Sequence, residues 1–103
     1  MRIEFTALLW RHESETAAWH FVTLPTDVAD EIDDAHGPAG RRGFGSIRVE
    51  AAVGDSVWRT SIFPSKEHAS FVLPMKQAVR VAEGLDAGDE VTVVLQPLDP
   101  TVR

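Results

Sequence analysis

The sequence predicts a mainly β fold of the α+β class: a compact six-stranded split β-barrel with two short helices, in the order ββα–βββα–β. Three observations carry that reading. Runs of alternating or β-branched residues recur along the chain at strand length. Gly54-Asp55, a favoured two-residue hairpin turn, separates two of these runs. The stretches Phe21-Val22-Thr23-Leu24-Pro25 and Phe71-Val72-Leu73-Pro74 each end a strand and open a short helix at the proline. That internal repeat suits either a duplicated half-barrel or ordinary strand–proline punctuation. Closure into a barrel removes the exposed strand edges that invite aggregation.

Residues 2–10 alternate. Ile3, Phe5, Ala7 and Leu9 fall on one face and Arg2, Glu4, Thr6 and Trp10 on the other, the period of a half-buried strand. Arg11 to Thr16 is polar and reads as a loop. Trp19 to Leu24, rich in aromatic and β-branched residues, reads as the second strand. Pro25 fits the first position of a helix, where its missing N–H costs nothing. Asp27, Asp30 and Glu31 sit near that helix's positive end, and Val28, Ile32 and Ala35 supply its inward stripe. His36-Gly37-Pro38 stops it. Gly37 to Gly45, with four glycines, one proline and the pair Arg41-Arg42, reads as a loop.

Two strands, about 46–53 and 56–63, flank Gly54-Asp55. A two-residue turn there sets Arg48 opposite Ser61 and Glu50 opposite Arg59. The reverse side, with Ile47, Val49, Ala51, Val53, Trp58, Thr60 and Ile62, is then a core face. Phe63 to Glu67 turns the chain again, and Ser70 to Leu73 is a short strand. Pro74 precedes a helix over 75–83 that Gly84 caps. After Ala87-Gly88-Asp89 a final strand runs through Val91, Val93 and Leu95 to Pro97. The reading is one domain over residues 1–97 and a loosely held tail over 98–103.

At 103 residues the chain has the size of one domain with one core. Its 44% hydrophobic and 25% charged residues are those of a soluble globular protein. Sixteen Asp and Glu against ten Lys and Arg leave a formal net charge of −6, which argues against general affinity for nucleic acid or anionic membrane. The absence of cysteine excludes disulfides, thiolate zinc sites and cysteine nucleophiles. No apolar run reaches membrane-spanning length and Met1-Arg2-Ile3-Glu4 opens no signal peptide, so a cytoplasmic location is expected.

Arg41-Arg42-Gly43-Phe44-Gly45-Ser46 is the most chemically suggestive segment. Glycines let backbone N–H groups converge on an anion, and arginines offer a bidentate fork; the plain alternative is a solvated glycine loop. The segment leads into a strand and lacks the third glycine of a dinucleotide fingerprint. Arg48, Arg59 and Ser61 form a polar strip with Glu50. Arg59 and Glu50 read as a cross-strand pair, which leaves Arg48 as a ligand anchor or a solvated side chain. Lys76 and Arg80 share a helix face, either joining Arg42 in a basic pocket or forming surface ion pairs.

Trp58 belongs to the predicted core face. Trp10, on the polar side of its strand, is the candidate for a pocket wall or partner interface. The histidines His12, His20, His36 and His68 show no metal spacing, and the acids between Asp27 and Asp34 read as a solvated helix face. There is no nucleophile elbow, no His-Glu-x-x-His and no phosphate-binding loop. No catalytic set and no cofactor are therefore expected.

Three stretches together carry a resemblance: Trp19-His20-Phe21-Val22-Thr23-Leu24-Pro25, Arg42-Gly43-Phe44-Gly45-Ser46-Ile47-Arg48-Val49 and Trp58-Arg59-Thr60-Ser61-Ile62-Phe63-Pro64. With the Leu73-Pro74-Met75-Lys76 helix and the Gly88-Asp89 strand, they resemble the bacterial domain-of-unknown-function 1905 family over roughly Ile3 to Leu95. The resemblance implies a small closed or split β-barrel with two short helices. In longer relatives it implies fusion to a YdeI/OmpD-associated bacteriocin-protection domain. Leu73-Pro74, a short helix and Gly88-Asp89-Glu90-Val91 also resemble the strand–proline–helix–strand unit of AbrB/MazE-type DNA-binding dimers, a likeness of fold rather than function.

The resulting expectation is a non-catalytic binding module. It holds a small anionic or polar ligand, or a peptide, between the Arg41–Ser46 loop, the Arg48/Arg59 face and the Lys76 helix. The alternative is a homodimeric or domain–domain interaction module with an apolar patch around Trp10. An AbrB-like DNA-binding regulator stands third, at odds with the acidic charge.

Overall fold

The computed structural model describes residues 2–36 and 45–98. Six strands and two helices follow the expected order: β1 (Ile3–Glu13), β2 (Ala18–Thr23), α1 (Thr26–His36), β3 (Ile47–Val53), β4 (Ser56–Ser65), β5 (Ser70–Pro74), α2 (Gln77–Glu83) and β6 (Glu90–Pro97). Every neighbouring pair is antiparallel, and the strands close into a barrel in the order β1-β2-β5-β4-β3-β6.

The β3–β4 register is the one that a Gly54-Asp55 turn dictates. Ile47 faces Ile62, Arg48 faces Ser61, Glu50 faces Arg59 and Val53 faces Ser56. Ile47, Val49, Ala51, Val53, Trp58 and Ile62 are accordingly buried, with Thr60 half-buried among them. On β1 the alternation also holds: Ile3, Phe5 and Leu9 are buried and Ala7 packs against them. Val22, Leu73, Val91, Val93 and Leu95 complete the interior, and no polar or charged residue is buried among those described. Full burial of each such aliphatic side chain contributes about 1.5–3 kcal/mol. The buried side chains of the strands and of both helices form one hydrophobic cluster.

Exchanging β1 with β4, β2 with β5 and β3 with β6 leaves the strand ring unchanged. Two ββαβ halves about a pseudo-two-fold axis give that ring. The axis passes between β2 and β5, where Phe21 faces Pro74 and Val22 faces Leu73. The repeat's matching positions are Leu24-Pro25 and Leu73-Pro74, since both leucines are buried. The two phenylalanines are not equivalent: Phe71 points inward and is buried, whereas Phe21 is half-buried on the outer face. A one-residue offset moves a strand side chain to the other side of the sheet.

Four local expectations are corrected. Arg11 to Glu13 extends β1, paired with His20, Trp19 and Ala18 of β2. The turn is confined to the following residues, where the Ser14 N–H donates to the Ala17 carbonyl at 2.8 Å. Phe63 to Ser65 likewise extends β4 rather than turning, with Pro64 facing Phe71. Pro64 is tolerated because β3 pairs with β4 only as far as Ile62, so no ladder bond is demanded on that side. Pro25 precedes α1, its carbonyl accepting the Ala29 N–H at 3.0 Å, and Pro74 closes β5 before α2 begins at Gln77.

Both helices sit against the barrel through short apolar faces. α1 buries Val28, Ala29 and Ile32; the expected contribution of Ala35 lies outside the described side chains. α2 buries Val79 and ends at Gly84, whose φ of 66° is the left-handed cap, while the Leu85 N–H returns to the Arg80 carbonyl at 2.9 Å. Leu98, where the expected tail begins, donates to the Arg48 carbonyl at 2.9 Å.

Candidate functional site

The outer face of the barrel carries large apolar side chains of its own. On β2, β4 and β5 the pleat that buries Val22, Ile62, Phe71 and Leu73 turns Phe21, Phe63, Val72 and Pro74 outward. Phe21 lies opposite Pro74 and Phe63 opposite Val72, so these side chains meet across three adjacent strands. With Trp19 they line an open groove of about 370 Å³ whose walls are almost wholly apolar. Trp19 is 56% exposed and Phe63 43% exposed, unusual figures for side chains of that size.

Trp10 stands beside the groove. It faces Phe21 from β1, with ring centroids 5.1 Å apart and planes at 35°. His68 approaches the Trp10 ring at 5.1 Å, and Nδ1 of that histidine shares a 3.0 Å hydrogen bond with the Ser65 hydroxyl. The indole N–H donates to Thr23 Oγ1 at 2.8 Å. Trp10 is half-buried and fixed on all these sides, so it supports Phe21 rather than lining the groove itself.

The predicted polar strip is next to the groove. Ser61 and Phe63 are successive outward residues of β4, and Arg48 is the cross-strand neighbour of Ser61. Arg59 and Glu50 form the expected pair at 3.9 Å, but their side chains are 67% and 37% exposed, so the pair is weak. Arg48 is exposed and has no ion pair among the described residues. Gly45 and Ser46 are half-buried just before β3; Arg41, Arg42, Gly43 and Phe44 lie outside the described residues.

Lys76 and Arg80 belong to the α2 end of the β5–α2 connection. Lys76 is the exposed N-cap residue of α2, and Arg80 Nε donates to the Met75 carbonyl at 3.2 Å. The Met75 N–H in turn reaches the His20 carbonyl at 2.8 Å, and His20 faces Arg11 across β1 and β2. Burial lowers the His20 pKa from its ordinary value, Arg80 and Arg11 lower it further, and Asp86 opposes them. No hydrogen bond or ion pair joins Lys76 or Arg80 to Arg48 or Arg59 among the described residues.

The groove residues Trp19, Phe21, Phe63, Val72 and Pro74 were not singled out as a site by the sequence reading. Their signal was parity: apolar residues at outward strand positions, where polar ones are ordinary. A second, more polar recess of about 230 Å³ lies between α1 and the β4–β5 turn, with Asp30, Asp33 and Lys66 among its lining. No group of three or more His, Asp or Glu among the described residues is placed to hold a metal ion. No helix among them is long and apolar enough to cross a membrane.

A family model described as a domain of unknown function, DUF1905, matches residues 5–95. No curated protein matches the chain.

Proposed function

The chain belongs to this DUF1905 family, and from that premise we propose that it is a non-catalytic binding module that docks a short peptide segment on the outer face of β2, β5 and β4. The observation that carries the reading is the apolar groove of Trp19, Phe21, Phe63, Val72 and Pro74. Contiguous exposed apolar surface of this kind marks interaction sites in otherwise polar exteriors.

Self-association is the second reading, favoured by the same exposed aromatics. Two features weigh against it. Each copy carries a net charge of −6, so two copies repel. Stable interfaces bury about 800 Å² per partner, far more than one small groove supplies.

The test is a titration of the ¹⁵N-labelled protein with the capped tripeptide acetyl-Leu-Gly-Asn-amide. Amide and indole shifts at Trp19, Phe21, Phe63 and Val72, lost in Phe63→Ser, are the expected result. Shifts absent from those residues at millimolar peptide, with this tripeptide and with its acidic counterpart acetyl-Leu-Gly-Asp-amide alike, would overturn the reading. Sedimentation at several concentrations decides the alternative: a mass that doubles, and that Phe63→Ser restores to one chain, favours the dimer.

A further inference from the structure

Resting on the docking reading above, we infer that the groove's partner is an acidic one: an extended segment whose apolar side chain enters the groove while a carboxylate two residues away meets Arg48. The inference stands on spacing and on charge. Ser61 and Phe63 follow one another on the outer face of β4, and alternate residues of a strand stand about 6.5–7 Å apart. Arg48 lies directly across from Ser61, so its guanidinium is within reach of one end of a two-residue step that begins at Phe63. An extended peptide repeats its own same-side side chains at the same interval. Apolar residue and acid at positions i and i+2, in either order, therefore match groove and arginine together.

Charge selects the acid. Among the described residues Arg48 has no ion-pair partner, and the acid nearest it along β3, Glu50, is engaged by Arg59 at 3.9 Å. The acids Asp27, Asp30, Glu31 and Asp34 on α1 and Glu83 on α2 belong to the helices and not to the strands that carry the groove. A guanidinium with an adjacent serine hydroxyl offers a carboxylate charge-assisted hydrogen bonds. On its β3 side β4 is paired only as far as Ile62, and Pro64 has no N–H to offer in the stretch beyond it, so the side chains carry the recognition proposed here. Short peptides held in this way bind weakly.

The experiment compares acetyl-Leu-Gly-Asp-amide with its neutral isostere acetyl-Leu-Gly-Asn-amide on wild type, Arg48→Gln and Phe63→Ser, read by the amide shifts of Phe63 and Val72. In wild type at low salt the acidic peptide is expected to bind about two- to fivefold more tightly than the neutral one. That ratio falls to about one in Arg48→Gln, whose amide spectrum is otherwise unchanged, and shrinks at high salt. Equal binding of both peptides by wild type overturns the inference about the carboxylate and leaves the groove reading standing. A preference retained in full by Arg48→Gln overturns the role of that arginine. Failure of both peptides to shift the groove signals overturns the docking reading and this inference with it.

Discussion

The carboxylate of Glu83, at the end of α2, lies over Gly54 in the β3–β4 turn, in the space that a β-carbon there would need. The same carboxylate accepts the Ser56 hydroxyl at 2.7 Å. The turn that sets the register of β3 and β4 is thus also the place where α2 is pinned to the barrel. Gly54 is required twice, for its φ of 57° and for the approach of Glu83.

Gly54→Ala is expected to destabilise the protein by about 1–2 kcal/mol, combining left-handed strain with displacement of Glu83 from Ser56. Gly84→Ala is the control. It has a similar φ of 66° but open space around it, so it is expected to cost only about 1 kcal/mol. Urea denaturation of the two variants checks the difference; equal losses would mean that the Glu83 contact contributes nothing.

Trp10→Phe removes the indole donor from Thr23 while keeping the ring between Phe21 and His68. The expected loss is about 0.5–1.5 kcal/mol, the net worth of one hydrogen bond. Thr23→Val, which leaves the half-buried indole N–H without its acceptor, should cost at least as much. Thermal unfolding of both, with the double variant closing the cycle, tests whether the two residues act through one bond.

Adjacent residues of β4 should respond in opposite ways. Ile62, fully buried, loses about 2–5 kcal/mol on replacement by alanine. Phe63→Ser, on the outer face, is expected to cost less than about 1 kcal/mol and to abolish the peptide response. Chemical denaturation of the two variants reveals the parity directly. A large loss from Phe63→Ser would show that the groove is structural.

His20 makes stability fall with acid. Its pKa is lowered in the folded state, by burial first and by Arg80 and Arg11 after it. The unfolded chain therefore binds more protons as pH drops below the ordinary histidine value of about 6.5. The stability that neutral His20 contributes is fully present above that value and is lost as pH falls through its lower folded pKa. Melting temperatures at pH 7.5 and 5.5 should differ less in His20→Gln than in wild type. An identical difference would remove His20 from the pH response.

The Gly54-Asp55 turn made the β3–β4 alignment legible, because a two-residue hairpin leaves no freedom of register. Arg48 opposite Ser61 and Glu50 opposite Arg59 follow from it directly. Arg11 to Glu13 and Phe63 to Ser65 look like loops in the sequence and are strand for a shared reason. Each extends a strand past its inner neighbour into a two-stranded hairpin, where solvent reaches the strands and the apolar alternation that marks a buried strand fades. The groove was hidden by distance along the chain. It depends on β2 lying beside β5, strands about fifty residues apart that no local pattern pairs. Phe21 and Phe71 show the limit of the repeat: the composition matched, and an offset of one residue sent one ring outward to the site and the other into the core.

The ring order places β6, the last of the described strands to be synthesised, between β1 and β3. Until Glu90–Pro97 has left the ribosome, β1 and β3 each present an unpaired row of amides and carbonyls to the cell. Nascent chains that stop short of this segment hold every other strand of the barrel and still cannot shut it. Premature termination before Glu90 should therefore yield insoluble protein, not a shortened but serviceable barrel.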